Sequence, residues 1–101
     1  QNLANLAWAF ATLDVRHEKL FGAISLSSRP RLRDFNQQHI CNLAWALSAL
    51  QILDEELLLA VADEVMRQIH CFNPQGLSNI ACAFAVLGLT HQELFEALAT
   101  A

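Results

Sequence analysis

The chain has 101 residues, a formal net charge of −4, a hydrophobic share of 54% and only 16% charged residues. It is therefore more apolar and less charged than an average soluble domain, which has about 45–50% apolar and about 25% charged residues. Its apolar runs, such as 57–62, are much shorter than the roughly 20 residues of a membrane-spanning helix, so no membrane span is predicted. The acidic balance argues against polyanion binding by the chain as a whole.

One short segment recurs along the chain at a fixed spacing. NLAWAF at 5–10 returns as NLAWAL at 42–47 and as NIACAF at 79–84, each time 37 residues later. A fixed period between about 20 and 50 residues is the signature of tandem structural repeats. We therefore predict an all-α fold, an α-solenoid of stacked antiparallel helical hairpins with a 37-residue repeat. The whole of 1–101 is expected to be a single array and a fragment of a longer one, with units 1–37, 38–74 and a partial third unit, 75–101.

Each unit is predicted to contain two helices. Apolar residues at helical spacing, such as Ile40, Leu43 and Leu47, define the buried face of the first helix, and the other units repeat this face. This helix is predicted over about 37–50 and 74–87. Asn36 and Asn73 are its predicted N-caps, and Gly88 is predicted to end it in the left-handed conformation.

The second helix of the middle unit is predicted to run to about His70. Glu55 and Glu56 fall in its first turn, where the helix dipole favours negative charge. In the third unit, Thr90 and Glu93 fit a capping box.

The first unit departs from the pattern after Leu26. Pro30 cannot occupy a helix interior without breaking the helix, so the second helix is expected to end or bend near Ser27. The following basic segment is predicted to project as an exposed loop. Residues 1–37 carry five basic against three acidic residues, whereas 38–101 carry one against seven. Arg29, Arg31 and Arg33 are therefore the candidate contacts for RNA phosphates, with a merely solvated loop as the alternative.

The chain offers no pattern of residues typical of catalysis. Its histidines are scattered, its glycines form no phosphate-binding loop, and Cys41, Cys71 and Cys82 have no metal-ligand spacing. We therefore predict no enzyme activity, no metal site, no cofactor and no small-molecule substrate. The two cysteines inside helical patterns, Cys41 and Cys82, are interpreted as buried thiols.

A second stripe lies opposite the apolar face of the first helix and carries amides and tryptophans. Amides can read base edges and tryptophan can stack on a base, which makes the stripe a candidate RNA-binding surface. The alternative is structural, because a recurrent asparagine can bond to neighbouring main chain and a tryptophan can simply pack. The candidate residues are Asn5, Trp8, Gln38, Asn42, Trp45, Gln75 and Asn79.

Tandem 37-residue units with NLAWAF-like cores resemble the heptatricopeptide repeats of protist organellar proteins. They are also similar to the octotricopeptide repeats of algal organelles, but the PPPEW-like signature of that group is absent. The resemblance covers the whole chain. It implies a nuclear-encoded, RNA-associated protein of the mitochondrion, with the plastid as second choice.

Such a protein is expected to act in mitochondrial ribosome structure or in organellar transcript binding. Its partners are then organellar or ribosomal RNA and neighbouring proteins of a large assembly. The alternative function is a protein–protein scaffold subunit with no direct RNA contact.

Overall fold

The computed structural model describes residues 2–89 and 91–100, which form six α-helices and no β-strand. The helices are α1 (Asn2–Thr12), α2 (Glu18–Ser28), α3 (Gln37–Ala49), α4 (Glu55–Arg67), α5 (Pro74–Val86) and α6 (Gln92–Thr100). Two short 3-10 segments, Arg29–Asp34 and Ile69–Cys71, follow α2 and α4. None of the helices in this part of the chain is both long enough and apolar enough to cross a membrane. The predicted all-α class is confirmed.

Corresponding helix boundaries follow the 37-residue spacing of the sequence. The helices α1, α3 and α5 end at residues 12, 49 and 86, and α2, α4 and α6 begin at residues 18, 55 and 92. The predictions for α3 and α5 agree with the structure to within one residue at their ends. The predicted end of α4 at His70 is wrong, because the α-helix ends at Arg67 and the chain tightens into a 3-10 turn.

The same backbone device ends the first helix of each pair. Asp14, Gln51 and Gly88 adopt left-handed φ values of 56°, 54° and 71°. The next residue then donates its N–H to the carbonyl five residues earlier, which satisfies a free carbonyl of the last helical turn. These bonds are Val15 to Phe10 at 2.8 Å, Ile52 to Leu47 at 2.8 Å and Leu89 to Phe84 at 3.1 Å. The prediction for Gly88 is confirmed.

Side-chain caps begin the helices α2 to α6. Asn36 accepts a hydrogen bond from the His39 N–H at 2.9 Å, and Asn73 accepts one from the Gly76 N–H at 2.7 Å, as predicted. The helices α2, α4 and α6 are each capped by a residue that was not predicted from the sequence to be a cap. His17, Asp54 and His91 each accept from the N–H three residues later, at 3.0, 3.1 and 3.1 Å. Thr90 of the predicted capping box lies outside the described residues.

The six helices pack as three consecutive pairs. The first helices α1, α3 and α5 lie side by side with α3 in the middle, while α4 packs on α6 and on the 3-10 segment after α2. The core between them is closely filled, and each fully buried aliphatic or aromatic side chain contributes about 1.5–3 kcal/mol. Its fully buried large members include Leu43, Leu47, Leu58, Val61, Ile80, Phe84 and Leu94.

The basic segment after α2 does not project as a loop, so that part of the prediction is wrong. The predicted break is present, since α2 ends at Ser28, but Arg29–Asp34 forms a 3-10 helix that packs on α4. Pro30 is tolerated because the first residues of a helix need no N–H donor. Leu32, which is 3% exposed, anchors the segment in the core. Arg31 and Arg33 remain exposed, whereas Arg29 is partly buried and pairs with Glu56.

A buried carboxylate joins α4 to the end of this segment. The Glu64 side chain is 7% exposed and accepts a hydrogen bond from Arg67 Nε at 2.8 Å. Gln68 Nε2 donates both to Glu64 and to the Phe35 carbonyl, the latter at 3.3 Å. Burial acts to raise the pKa of Glu64, but the hydrogen bonds from Arg67 and Gln68 and the charges of Arg67 and Arg33 outweigh it. The pKa of Glu64 is therefore lowered.

This lowered pKa predicts acid sensitivity. A carboxylate with a lower pKa in the folded than in the unfolded state adds stability above its unfolded pKa, and this stability is lost as pH falls through the folded pKa. We expect the free energy of unfolding to decrease below about pH 4.3. Glu64→Gln should reduce this decrease, which urea unfolding near neutral pH and near about pH 3 would measure. Identical pH dependence in the two proteins would contradict the assignment.

Candidate functional site

The predicted amide stripe lies on the outer side of the first-helix layer. Asn5 on α1 and Asn79 on α5 are exposed, and Asn42 on α3 is half-buried. Gln38 and Gln75, one turn earlier on their helices, are also exposed. Among the hydrogen bonds of the described residues, none joins the side chain of Asn5, Asn42 or Asn79 to main chain. Asn5 and Asn79 are therefore accessible to a ligand, and Asn42 is partly accessible.

A polar cleft of about 230 Å³ lies between α3 and α5. It brings together four of the predicted site residues, and every residue that lines it is uncharged. Amide side chains offer both donors and acceptors, so such a cleft suits a neutral ligand group that needs both kinds of partner. The lining residues are Gln37, Gln38, Cys41, Asn42, Asn73, Gln75, Gly76 and Asn79.

The first residues of α5 lie close to α3 and form one wall of this cleft. Gln37 Oε1 accepts a hydrogen bond from the Asn73 N–H at 3.0 Å, and Cys41 Sγ lies 3.6 Å from the Gly76 carbonyl oxygen. A Cβ on Gly76 would lie 3.2 Å from Gln37 Oε1, so glycine permits the approach. Burial raises the pKa of Cys41, which keeps this thiol neutral and able to donate to the carbonyl.

Four of the lining residues were not predicted from the sequence as site residues. Gln37 occupies the register position of Pro74, so the amide does not recur and gave no repeat signal. Asn73 was recognised only as a helix cap, and Cys41 only as a buried thiol. Gly76 carries no side chain to suggest a role. Only the spacing of α3 and α5 brings these residues to one place.

The two tryptophans of the stripe contact each other across α1 and α3. The ring centroids of Trp8 and Trp45 are 6.4 Å apart with the planes tilted by 40°, and the residues are 45% and 43% exposed. The corresponding residue of α5 is Cys82, which is exposed. The prediction that Cys82 is buried is therefore wrong, because it lies on the outward stripe. Cys41 is only half-buried, and Cys71 is exposed.

The arginines lie apart from the amide stripe, on the 3-10 segment that packs on α2 and α4. Arg29 and Arg33 line a cleft of about 350 Å³ together with Arg67, Asp63 and Glu64. The two carboxylates partly offset the basic charge there. Arg31 and Arg33 are the exposed guanidinium groups of the predicted set and are the ones accessible to an anion.

A larger cleft of about 580 Å³ lies between the first turns of α2 and α4. Its charged lining consists of Arg16 and four acidic residues, Glu18, Asp54, Glu55 and Glu56. This acidic excess disfavours a phosphate ligand. Across 2–89 and 91–100, no group of three or more His, Cys, Asp or Glu side chains could hold a metal ion.

Fold and site together define a class: an all-helical protein with an exposed, uncharged stripe of amides and tryptophans. A comparison with known protein families narrows this class to one family. The model of the RNA-editing substrate-binding complex 6 protein family, RESC6, matches residues 1–101. The chain therefore belongs to this family. No curated protein matches it.

Proposed function

We propose that this chain is a non-catalytic, RNA-associated part of an α-solenoid that works in an organellar RNA-editing substrate-binding complex. The family description supports the complex, and the 37-residue spacing of helix boundaries supports the solenoid of heptatricopeptide type. The observation that carries RNA association is the exposed amide stripe across three adjacent helices. The mitochondrion is the proposed compartment. Because the description names an editing complex, transcripts rather than ribosomal RNA are the proposed ligand.

The chemistry of the stripe suits unpaired bases better than phosphates. Sequence-specific RNA recognition targets single-stranded bases, which stack on aromatic rings and hydrogen-bond through their edges. Trp8 and Trp45 offer half-exposed rings, and Asn42 and Asn79 offer donors and acceptors in an uncharged cleft. In this arrangement the bases face α3 and α5. The exposed Arg31 and Arg33 then supply a small number of phosphate contacts.

The phosphate contribution predicts a shallow salt dependence. On single-stranded RNA each neutralised phosphate adds about 0.7 to the slope of log affinity against log salt. Replacing both Arg31 and Arg33 with alanine should therefore flatten this slope by up to about 1.4. Fluorescence anisotropy with a labelled single-stranded RNA at several salt concentrations measures this slope. Arg16→Ala, which removes another exposed arginine, serves as the control. An unchanged slope in the double variant would show that the segment makes no phosphate contact.

A second candidate function is a protein–protein scaffold with no direct RNA contact. The net charge of −6 over residues 38–101 favours it, because acidic surfaces repel RNA. Exposed apolar residues such as Leu59 and Val86, at 45% and 60%, also offer protein contacts. A chain that binds no single-stranded RNA at about 50 mM salt, where phosphate attraction is strong, would favour this second function.

A further inference from the structure

The middle helix pair carries apolar side chains that its neighbours leave uncovered. The helix α3 packs on both α1 and α5, and α4 packs on both the 3-10 segment after α2 and α6, so the pair is flanked on two sides. Leu53, between α3 and α4, is nevertheless 51% exposed, and the adjacent Ile52 is partly exposed. Their exposure therefore does not depend on residues before α1 or after α6.

Leu53 and Ile52 line the cleft of about 580 Å³ between the first turns of α2 and α4. Phe21 and Leu47 also line it, and they are only 4% and 1% exposed, so they reach it from the core. Ligand sites are typically concave and largely apolar, with a few polar groups that fix the orientation of the ligand. Covering this apolar surface with an apolar group of a ligand would remove it from water, which is favourable.

A glycine keeps the cleft open on the side of α2. Gly22 lies in the middle of this helix, where glycine is less favourable than alanine. A Cβ on Gly22 would meet no surrounding heavy atom within 4 Å, and the backbone there is not left-handed. Neither close packing nor backbone conformation therefore requires glycine, and the corresponding residues of α4 and α6 are Leu59 and Glu96. The effect of glycine at this position is to leave space in the cleft.

The charges at the cleft determine which ligand it attracts. The carboxylates of its lining are those of Glu18, Asp54, Glu55 and Glu56. Acidic residues in a first helical turn are favoured by the helix dipole, so their presence alone indicates no ligand. Arg16 lies near Glu18, and Arg29 pairs with Glu56. Even with both arginines counted, four carboxylates outnumber two guanidinium groups, so the cleft attracts cations and repels anions.

We propose that this cleft binds a segment of a partner protein in which an apolar side chain is flanked by lysine or arginine. The apolar side chain occupies the space beside Gly22 and covers Leu53, and the flanking cations meet the carboxylates. The chain itself has one such segment, Arg31–Leu32–Arg33, but Leu32 is 3% exposed in the core and is not available to a second copy. The cleft shares no lining residue with the amide cleft, so this function is separate from RNA binding.

Binding of defined peptides to the full chain, without RNA, tests this proposal. The probe is a short fluorescein-labelled peptide with a central leucine and with lysine and arginine on both sides. Fluorescence anisotropy should show saturable binding with a Kd below about 1 mM. Serine in place of the leucine should weaken binding by about tenfold or more, because the burial of an apolar side chain is lost. Glutamate in place of the cations should abolish binding.

Substitutions in the chain assign this binding to the cleft. Gly22→Met fills the space and should weaken peptide binding by about tenfold to a hundredfold. Gly22→Ala is the matched control, because it adds a single methyl group and should leave the affinity nearly unchanged. Neither variant should lower the urea midpoint, since both new residues favour a helix more than glycine does. Glu55→Gln should weaken binding by up to about fivefold, whereas Glu93→Gln, in the first turn of α6, should have no effect.

Three results would overturn the proposal. The first is the absence of binding by the basic leucine peptide, or equal binding by the folded Gly22→Met and Gly22→Ala variants. The second is a Gly22→Met variant that loses affinity for single-stranded RNA but keeps its affinity for the peptide, which would assign the cleft to RNA. The third is self-association of the unsubstituted chain that Gly22→Met abolishes, which would assign the cleft to a second copy.

Discussion

Replacing Leu43 with alanine is expected to lower the free energy of unfolding by about 2–5 kcal/mol. Leu43 is 0% exposed on α3, the central helix of the first layer. Truncation removes buried methyl groups and leaves a cavity that the neighbouring side chains fill only in part. Urea unfolding followed by circular dichroism measures the loss through the midpoint, with an unchanged slope as evidence that the folded state is retained.

The matched control is the same substitution at the same register position one unit earlier. Leu6 is 39% exposed, so Leu6→Ala removes less buried area and leaves no closed cavity. We expect a loss of about 1 kcal/mol or less. Equal losses at Leu6 and Leu43 would contradict this difference in burial, in which Leu43 is enclosed in the core and Leu6 is not.

Leu6 and Leu43 share a register position but differ in burial, and this difference could not be predicted from the sequence. The repeat placed both leucines on one helix face correctly, because helical periodicity is a local property of the chain. The caps Asn36 and Asn73 were predictable for the same reason, since a cap bonds to an N–H three residues away. Burial, however, depends on which pair lies alongside. Two identical residues at one register position can therefore differ in exposure.

The basic segment shows the same limit in another form. The sequence predicted the break near Ser27 from Pro30, but not the 3-10 helix that follows. Leu32 and Phe35 are only 3% and 2% exposed, and their packing in the core keeps the segment against the rest of the fold. From local sequence alone, a charge-rich stretch with one or two apolar residues is predicted to be a loop. The burial of those apolar residues depends on contacts with residues that are distant in the sequence.

For the candidate site, the stripe was predictable and the cleft was not. Asn42 and Asn79 recur at one position of the 37-residue register, so their shared face follows from the repeat. The cleft between them depends on how closely α3 and α5 approach. The two helices are joined there by the hydrogen bond from the Asn73 N–H to Gln37, which has no counterpart among the other described residues and therefore gives no repeat signal.

The double substitution of Asn42 and Asn79 with alanine is expected to weaken single-stranded RNA binding by about tenfold to a hundredfold. Each amide lost removes about one hydrogen bond to a base edge, which contributes about 0.5–1.5 kcal/mol, so the two together contribute about 1–3 kcal/mol. The free energy of unfolding should change by less than about 0.5 kcal/mol, because neither amide bonds to main chain within the described residues. Fluorescence anisotropy and urea unfolding on the same preparations measure the two effects.

The control for this substitution is Gln92→Ala, which removes an exposed amide from α6, outside the stripe. It should leave the affinity for RNA unchanged. A loss of about 1–3 kcal/mol of stability in the double variant would instead identify the amides as structural. Unchanged affinity in the double variant would exclude them from RNA contact.

In the proposed function, RNA bases contact the amide stripe of α3 and α5. Nuclear magnetic resonance of the ¹⁵N-labelled chain, titrated with a single-stranded RNA, tests this claim residue by residue. The side-chain NH₂ signals of Asn42 and Asn79 and the indole N–H of Trp45 should shift together, while the NH₂ signal of Gln92 stays in place. A titration that shifts the signals of Arg31 and Arg33 but leaves the Asn42, Asn79 and Trp45 side chains unmoved would contradict it.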